Sequence, residues 1–150
     1  MKKTPELKNL VFENILSESL KFTPPTEDSY IKTYPEFIQY FKNISNISKH
    51  DLVISSHFVY GWMPTIIELK FQDIEGVLKS LNKAKNGAIL TIAELELLKS
   101  TINNSLVGLS KLLHFINPFD YAIWDSRIYR YTTDKKSSYG IGNTQLYLNY

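Results

Sequence analysis

The most apolar helical pattern in this 150-residue chain is LVGLSKLLHFI, which occupies residues 106–116. Leucine and isoleucine recur there at intervals of three and four residues, which places their side chains on one face of an α-helix. The run starts at Ser105 and is ended by Asn117-Pro118, because proline cannot continue a helix. We expect this segment to be the central helix of the fold.

The sequence on both sides of this segment carries helix start and stop signals. Caps, prolines and apolar periodicity predict further helices at residues 5–20, from Pro35, from Ser48 or Asp51 to about Gly61, at 65–82, from Thr91, at 126–131 and from Thr144. The prolines at 24 and 25 predict a loop, and alternating strand patterns are scarce. The sequence therefore predicts an all-α fold: one compact multi-helix domain of six to eight helices over residues 1–150.

The C-terminal end of this domain is short for the helix that it is predicted to hold. Gly140 and Gly142 predict a turn before Thr144, and only six residues follow Thr144. A phosphate-binding loop is the alternative interpretation of these glycines, but neither a preceding strand nor a P-loop pattern accompanies them. We expect either a natural chain that continues past Tyr150 or a domain taken from a longer protein.

Composition excludes several classes of protein. Apolar residues make up 43% and charged residues 21% of the chain, which is typical of globular proteins. Cysteine is absent, so disulfides, thiolate zinc sites and cysteine nucleophiles are excluded, and we expect a cytoplasmic protein. No apolar run approaches the roughly 18–20 residues that cross a bilayer. His50 and His57 could share a helical face but lack a third ligand, so no metal site and no cofactor are predicted.

Positive charge is concentrated in the last third of the sequence. Residues 99–150 contain six Lys or Arg against three Asp or Glu, whereas residues 1–98 contain 11 against 12. Such a basic end is compatible with binding to nucleic-acid phosphates, and it is also within the range of ordinary solvated surfaces. No feature of the sequence assigns an oligomeric state.

Two ionisable residues stand out around the apolar segment. Lys111 lies inside it, and Asp125 lies at the predicted start of the next helix. Burial lowers the pKa of a lysine and makes a neutral, nucleophilic amine more available. A helix N-terminus stabilises a carboxylate through its N–H groups and dipole. Such a pair can perform substitution at a carbon that develops positive charge, but Lys111 at the helix edge and Asp125 as a plain N-cap remain the structural alternative.

Residues 105–131 resemble the catalytic half of the helix-hairpin-helix DNA glycosylases, particularly the 8-oxoguanine DNA glycosylase branch. The likeness lies in the order of a glycine-bearing turn with Gly108, the lysine-bearing helix, Pro118, and an aspartate that begins a helix with arginine. The resemblance implies that Lys111 attacks the sugar and forms a Schiff base, and that Asp125 activates it and stabilises the transition state. An enzyme without a catalytic lysine, in which Asp125 activates water, is an alternative.

The resemblance also implies double-stranded DNA as the partner and extrusion of the target base from the duplex. Tyr60 and Trp62 are then the candidates for stacking on a base. The candidates for contacting DNA phosphates are Arg127, Lys135 and Lys136, and Ser126 is a further candidate for contact with the DNA. We therefore expect a DNA glycosylase; the alternatives are a non-catalytic helical module that binds nucleic acid or protein, and a helical accessory protein without nucleic-acid contact.

Overall fold

A computed structural model describes residues 6–63 and 65–150 of the chain. Within those residues it contains eight α-helices and no strand beyond a single antiparallel bridge between Leu69 and Ile102. The helices are α1 (Phe12–Lys21), α2 (Ser29–Asn43), α3 (Lys49–Trp62), α4 (Ile74–Lys85), α5 (Ile92–Thr101), α6 (Leu106–Ile116), α7 (Ser126–Thr133) and α8 (Thr144–Leu148). The prediction of an all-α fold is confirmed.

The central position predicted for α6 is also confirmed. The Ser105 hydroxyl caps this helix by accepting a hydrogen bond from the Gly108 N–H at 3.2 Å. Helices α2, α3, α4 and α5 pack against α6, and eight of its 11 residues are buried. Because other helices cover α6 on several sides, most positions around its circumference are apolar. Lys111 is the only lysine that this helix carries.

Helix α2 begins at Ser29, six residues before the start predicted at Pro35. The Asp28 carboxylate caps it by accepting a hydrogen bond from the Tyr30 N–H at 2.8 Å. Pro35 lies inside the helix with an exposed side chain. The lost backbone hydrogen bond is tolerated because the opposite face of α2 packs its aromatic rings against α6. Tertiary packing thus outweighs the proline as a start signal.

The helix predicted over residues 65–82 begins only at Ile74, where the Asp73 carboxylate accepts a hydrogen bond from the Gly76 N–H at 2.9 Å. Residues 65–73 instead follow the connection between α5 and α6. The Asn103 side chain donates to the Ile66 carbonyl at 2.8 Å, and the Lys70 N–H donates to the Thr101 carbonyl at 2.9 Å. These long-range hydrogen bonds satisfy backbone groups that a helix would otherwise pair locally.

The ends of the chain differ in how they meet the core. Helix α1 covers residues 12–21 instead of the predicted 5–20, has no buried residue, and its predicted cap at Thr4-Pro5 lies outside the described residues. At the other end the predicted turn is present, with Gly140 at φ 95°, and the Asn143 side chain caps α8 by accepting from the Leu146 N–H at 2.9 Å. None of the helices described is long and apolar enough to cross a membrane.

Candidate active site

The structure brings Lys111 and Asp125 to the same cleft. The cleft opens between the beginning of α2, the end of α3, the middle of α6 and the beginning of α7, and its volume is about 470 Å³. Its lining residues are Tyr30, Trp62, Met63, Lys111, Asp125 and Arg127. We call it the Lys111–Asp125 cleft. An amine from the central helix and a carboxylate from the next helix therefore share one open space.

Lys111 reaches this cleft from a half-buried position on α6. Its Nζ lies 5.6 Å from the centroid of the Trp62 ring, within cation–π distance. Burial lowers the pKa of the Lys111 amine below its ordinary value of 10.5, and the nearby charge of Asp125 acts in the opposite direction. The described residues provide it with no ion pair. At a given pH near neutrality, more of this amine is uncharged than of an exposed lysine.

Asp125 is held at the cleft by the helix that it caps. Its Oδ1 accepts hydrogen bonds from the Arg127 N–H at 2.8 Å and the Ile128 N–H at 2.9 Å. Both donors are among the N–H groups of the first turn of α7, which have no partner within the helix. One carboxylate oxygen thereby fixes the side chain, and Oδ2 takes no part in the cap. Capping and chemistry are compatible in one residue.

The rings of Tyr30 and Trp62 form an aromatic wall of the cleft. The Trp62 ring contacts Tyr30 edge-on, with centroids 5.3 Å apart, and contacts Phe115 at 5.5 Å. Tyr30 and Trp62 also belong to a neighbouring apolar cavity of about 280 Å³, completed by Ile31 and Tyr34. We call this cavity the aromatic chamber. It adjoins the Lys111–Asp125 cleft because the two spaces share Tyr30 and Trp62.

Tyr60 is not available for the stacking role predicted for it. Its side chain is only 2% exposed and belongs to the hydrophobic core. Its ring lies over the backbone of Gly108 in the first turn of α6. Tyr60 and Trp62 are two positions apart on α3, so their side chains point about 200° apart around the helix axis, Tyr60 into the core and Trp62 into the cleft. The exposed ring at the cleft is that of Tyr30, which is 47% exposed.

The residues predicted to contact DNA lie in different places. Arg127 lines the Lys111–Asp125 cleft, and Ser126 is the first residue of α7, beside Asp125. Lys135 and Lys136 are exposed beyond the C-terminal end of α7 and do not line the cleft. The Lys135 amine lies 6.0 Å from the centroid of the Tyr129 ring. The structure therefore brings Arg127 to the amine and the carboxylate but leaves the two lysines outside the cleft.

His114 connects α6 to two other parts of the fold. Its Nδ1 lies 2.8 Å from the Tyr121 carbonyl and its Nε2 lies 2.7 Å from the Tyr34 hydroxyl. A neutral ring that donates from Nδ1 and accepts at Nε2 satisfies both contacts. Burial lowers the pKa of His114, whereas the Tyr121 carbonyl acts to raise it.

In the described part of the chain, no three His, Cys, Asp or Glu side chains are grouped to hold a metal ion.

Two residues of the cleft, Tyr30 and Met63, are not predicted from the sequence. Tyr30 is overlooked because the helix is expected to start at Pro35. With the start at Ser29, Tyr30, Tyr34 and Phe37 fall at positions i, i+4 and i+7, which form one aromatic face. Recognition of Asp28 as a cap is the signal that would have identified this face.

The geometry of the cleft thus combines three features: an amine with a lowered pKa, a carboxylate anchored through one oxygen, and an aromatic wall with an adjoining apolar chamber. The amine, the carboxylate and the rings of Tyr30 and Trp62 all line the one open cleft. No model of a known protein family, no curated protein and no solved structure matches this chain.

Proposed function

We propose that this protein is a DNA glycosylase-like enzyme that excises a damaged or modified base from double-stranded DNA. Lys111 is the nucleophile and Asp125 is the activating and stabilising carboxylate. The observation that carries the proposal is that Lys111 and Asp125 line one cleft although 14 positions separate them in the sequence. The resemblance of residues 105–131 to the helix-hairpin-helix DNA glycosylases supplies the reaction class.

The reaction begins with attack of the neutral Lys111 amine on C1′ of the sugar. The new bond forms between Nζ and C1′ while the bond from C1′ to the base breaks, and its electron pair leaves with the base. Asp125 stabilises the positive charge that develops on the sugar, and it transfers a proton from the substituted amine toward the departing base. The lone pair of the Lys111 nitrogen then forms a C=N bond to C1′ while the C1′–O4′ bond breaks and its electron pair passes to O4′, which takes a proton from water; the product is a protonated Schiff base between Lys111 and the ring-opened sugar.

The aromatic wall supports an extruded base as the substrate. A base removed from its stack loses stacking energy, and aromatic side chains offer a surface that replaces it. Tyr30 is half exposed at the boundary of the cleft and the aromatic chamber, and Trp62 continues the same wall. The chamber receives the base, and the cleft receives the sugar to which it is attached. Arg127 is the nearest cation for an adjacent phosphate.

The decisive experiment is borohydride trapping on duplexes that contain an abasic site or 8-oxoguanine. Borohydride reduces a Schiff base to a stable adduct between protein and DNA. We expect an adduct with the unmodified protein, none with Lys111→Gln, and a strongly reduced amount with Asp125→Asn. Lys79→Gln is the matched control because Lys79 is an exposed lysine of α4 that does not line the cleft, and it should leave trapping unchanged.

Other outcomes assign other functions. Base release without a trapped adduct would indicate that the nucleophile is a water molecule activated by Asp125, and not Lys111. Duplex binding that depends on salt, is accompanied by no base release and is unchanged in Asp125→Asn would identify a non-catalytic nucleic-acid module. The absence of an adduct, of base release and of duplex binding would overturn the proposal.

A further inference from the structure

A buried hydroxyl group lies directly between the two elements that carry Lys111 and Asp125. Ser110 is 0% exposed and precedes Lys111 on α6. Its Oγ accepts a hydrogen bond from the Trp124 N–H at 3.0 Å and lies 3.1 Å from the Trp124 carbonyl oxygen. It also lies 2.9 Å from the Val107 carbonyl, so its single proton has two available acceptors. One hydroxyl thereby joins α6 to the residue that immediately precedes Asp125.

Trp124 is fixed from its other side as well. Its indole N–H donates to the Ile141 carbonyl at 2.9 Å, and its ring packs against Tyr129 and Tyr150 with centroids 5.7 and 4.9 Å away. The whole side chain is 0% exposed. The ring is held by the C-terminal part of the chain, and the hydrogen bonds between Ser110 and the Trp124 backbone tie that backbone to α6.

The path through Ser110 is much shorter than the path along the chain. Along the chain, Lys111 is connected to Asp125 through the end of α6 and the connection at residues 117–124. The hydrogen bonds between Ser110 and Trp124 provide a shorter connection, because Lys111 directly follows Ser110 and Asp125 directly follows Trp124. Removing this hydroxyl, as in Ser110→Ala, would leave the buried Trp124 N–H without its acceptor, which favours movement of the segment that carries Asp125.

We infer that Ser110 is a positioning residue that sets the separation between the Lys111 amine and the Asp125 carboxylate. Its catalytic consequence rests on the proposed function, because the separation matters to a reaction in which both groups act on one sugar. The separation itself is a property of the free protein. It can therefore be measured without DNA and without activity.

The direct measurement is the pKa of Lys111, obtained by NMR titration of its ε-methylene group, with Lys111→Gln used to assign the signal. The ionisable groups that face this amine are Asp125, Arg127 and Tyr30. Because the Asp125 charge favours the protonated amine, Asp125→Asn lowers the pKa of Lys111 further. The size of that decrease reports how close the carboxylate lies to the amine.

The test compares this decrease in two backgrounds. We expect Asp125→Asn to change the pKa of Lys111 by no more than about half as much in Ser110→Ala as in the unmodified protein, because charge interaction weakens with separation. Ser80→Ala is the matched control: Ser80 is buried, and its hydroxyl donates to the Gly76 carbonyl of its own helix at 2.8 Å. The decrease should be unchanged in that background.

An equal decrease in Ser110→Ala and in the unmodified protein would overturn the inference. If Ser110→Ala does not fold, as judged by a circular dichroism spectrum that differs from that of the unmodified protein, the pKa decrease is measured in Ser110→Cys instead. The cysteine side chain is similar in size to serine but is a weaker acceptor.

If the enzyme is active, Ser110→Ala should lower the single-turnover rate of base excision by on the order of 10-fold or more, with the Kd for the duplex unchanged. Failure of base excision in the unmodified protein would refute the proposed function and leave the titration result standing.

Discussion

At the scale of single residues, Lys111 shows the conflict between a stable fold and a reactive group. Its half-buried position beside Trp62 disfavours the ammonium form that an exposed lysine keeps at neutral pH. The same burial that makes the amine more nucleophilic therefore reduces the stability of the folded protein. Natural sequences retain such a residue at functional sites, where reactivity outweighs the loss of stability.

Replacement of Lys111 by methionine should stabilise the protein at pH 7. The folded pKa lies below the unfolded value, so between the two values the unfolded chain holds more protons and stability rises with pH. Lys111→Met removes this titration, and its advantage should shrink as the pH approaches 10.5. Urea unfolding at pH 7 and at several higher pH values measures the effect, with Lys79→Met as an exposed control. A less stable Lys111→Met protein at pH 7 would contradict this account.

Gly108 has a packing role that its helical position does not reveal. A Cβ atom there would lie only 2.5 Å from Cζ of Tyr60 and nearer still to its hydroxyl oxygen. Gly108→Ala should therefore lower the free energy of unfolding by about 1–3 kcal/mol, although alanine is the better helix former. Chemical denaturation of Gly108→Ala, Tyr60→Phe and the double variant measures this. Tyr60→Phe should reduce the loss caused by Gly108→Ala, because the hydroxyl oxygen is the closest atom in the collision.

At the scale of helices, Asp125 caps the start of α7 and is also the residue for which a chemical role is proposed. The cap uses one oxygen and two backbone donors, and asparagine can provide an equivalent oxygen. The cap requires an acceptor oxygen at position 125 but does not require the negative charge of the aspartate. A comparison of asparagine and alanine at this position therefore separates the cap from the charge.

Asp125→Ala should lower the free energy of unfolding by about 0.5–2 kcal/mol, whereas Asp125→Asn should change it by only a few tenths. Urea unfolding gives both values, and the trapping experiment gives the activity of the same proteins. We expect Asp125→Asn to lose activity without losing stability. Equal destabilisation by the two substitutions would show that the carboxylate charge, and not the cap, stabilises this part of the fold.

At the scale of the whole molecule, charge is distributed unevenly between the cleft and its surroundings. The net charge is only +2, and the excess of cations lies in residues 99–150. Within that region, Arg127 lines the Lys111–Asp125 cleft while Lys135 and Lys136 lie beyond the end of α7. Arg127 is therefore the residue at which the proposed contact between the cleft and a DNA phosphate can be tested.

Duplex binding should therefore weaken with salt, and Arg127→Gln should reduce the slope of log K against log salt concentration by about 0.9, the value for one phosphate contact. Fluorescence anisotropy at several salt concentrations measures the slope. Substituting Lys79 on α4 should leave it unchanged. Lys135→Gln and Lys136→Gln test whether the DNA extends past α7, since each contact made there would reduce the slope by a similar amount.

The sequence alone determined the helical class and most of the helix starts. The capping pattern of Thr91 and Glu94 and the apolar repeat of α6 are confirmed, and of the two starts predicted for α3 the structure has Ser48 as the cap. These signals are short-range: a cap and the N–H that it satisfies lie within three residues, and an apolar face repeats every three or four residues. They operate in the same way whatever the rest of the chain does.

Only the tertiary structure decided which side chains meet. The approach of Tyr30 to Trp62, the burial of Tyr60 against Gly108 and the irregular course of residues 65–73 along Asn103 all depend on partners more than 30 positions away. No local pattern specifies such a partner, because packing is settled by the shapes and volumes of whole helices as they come together. The shared cleft of Lys111 and Asp125 is a product of that assembly.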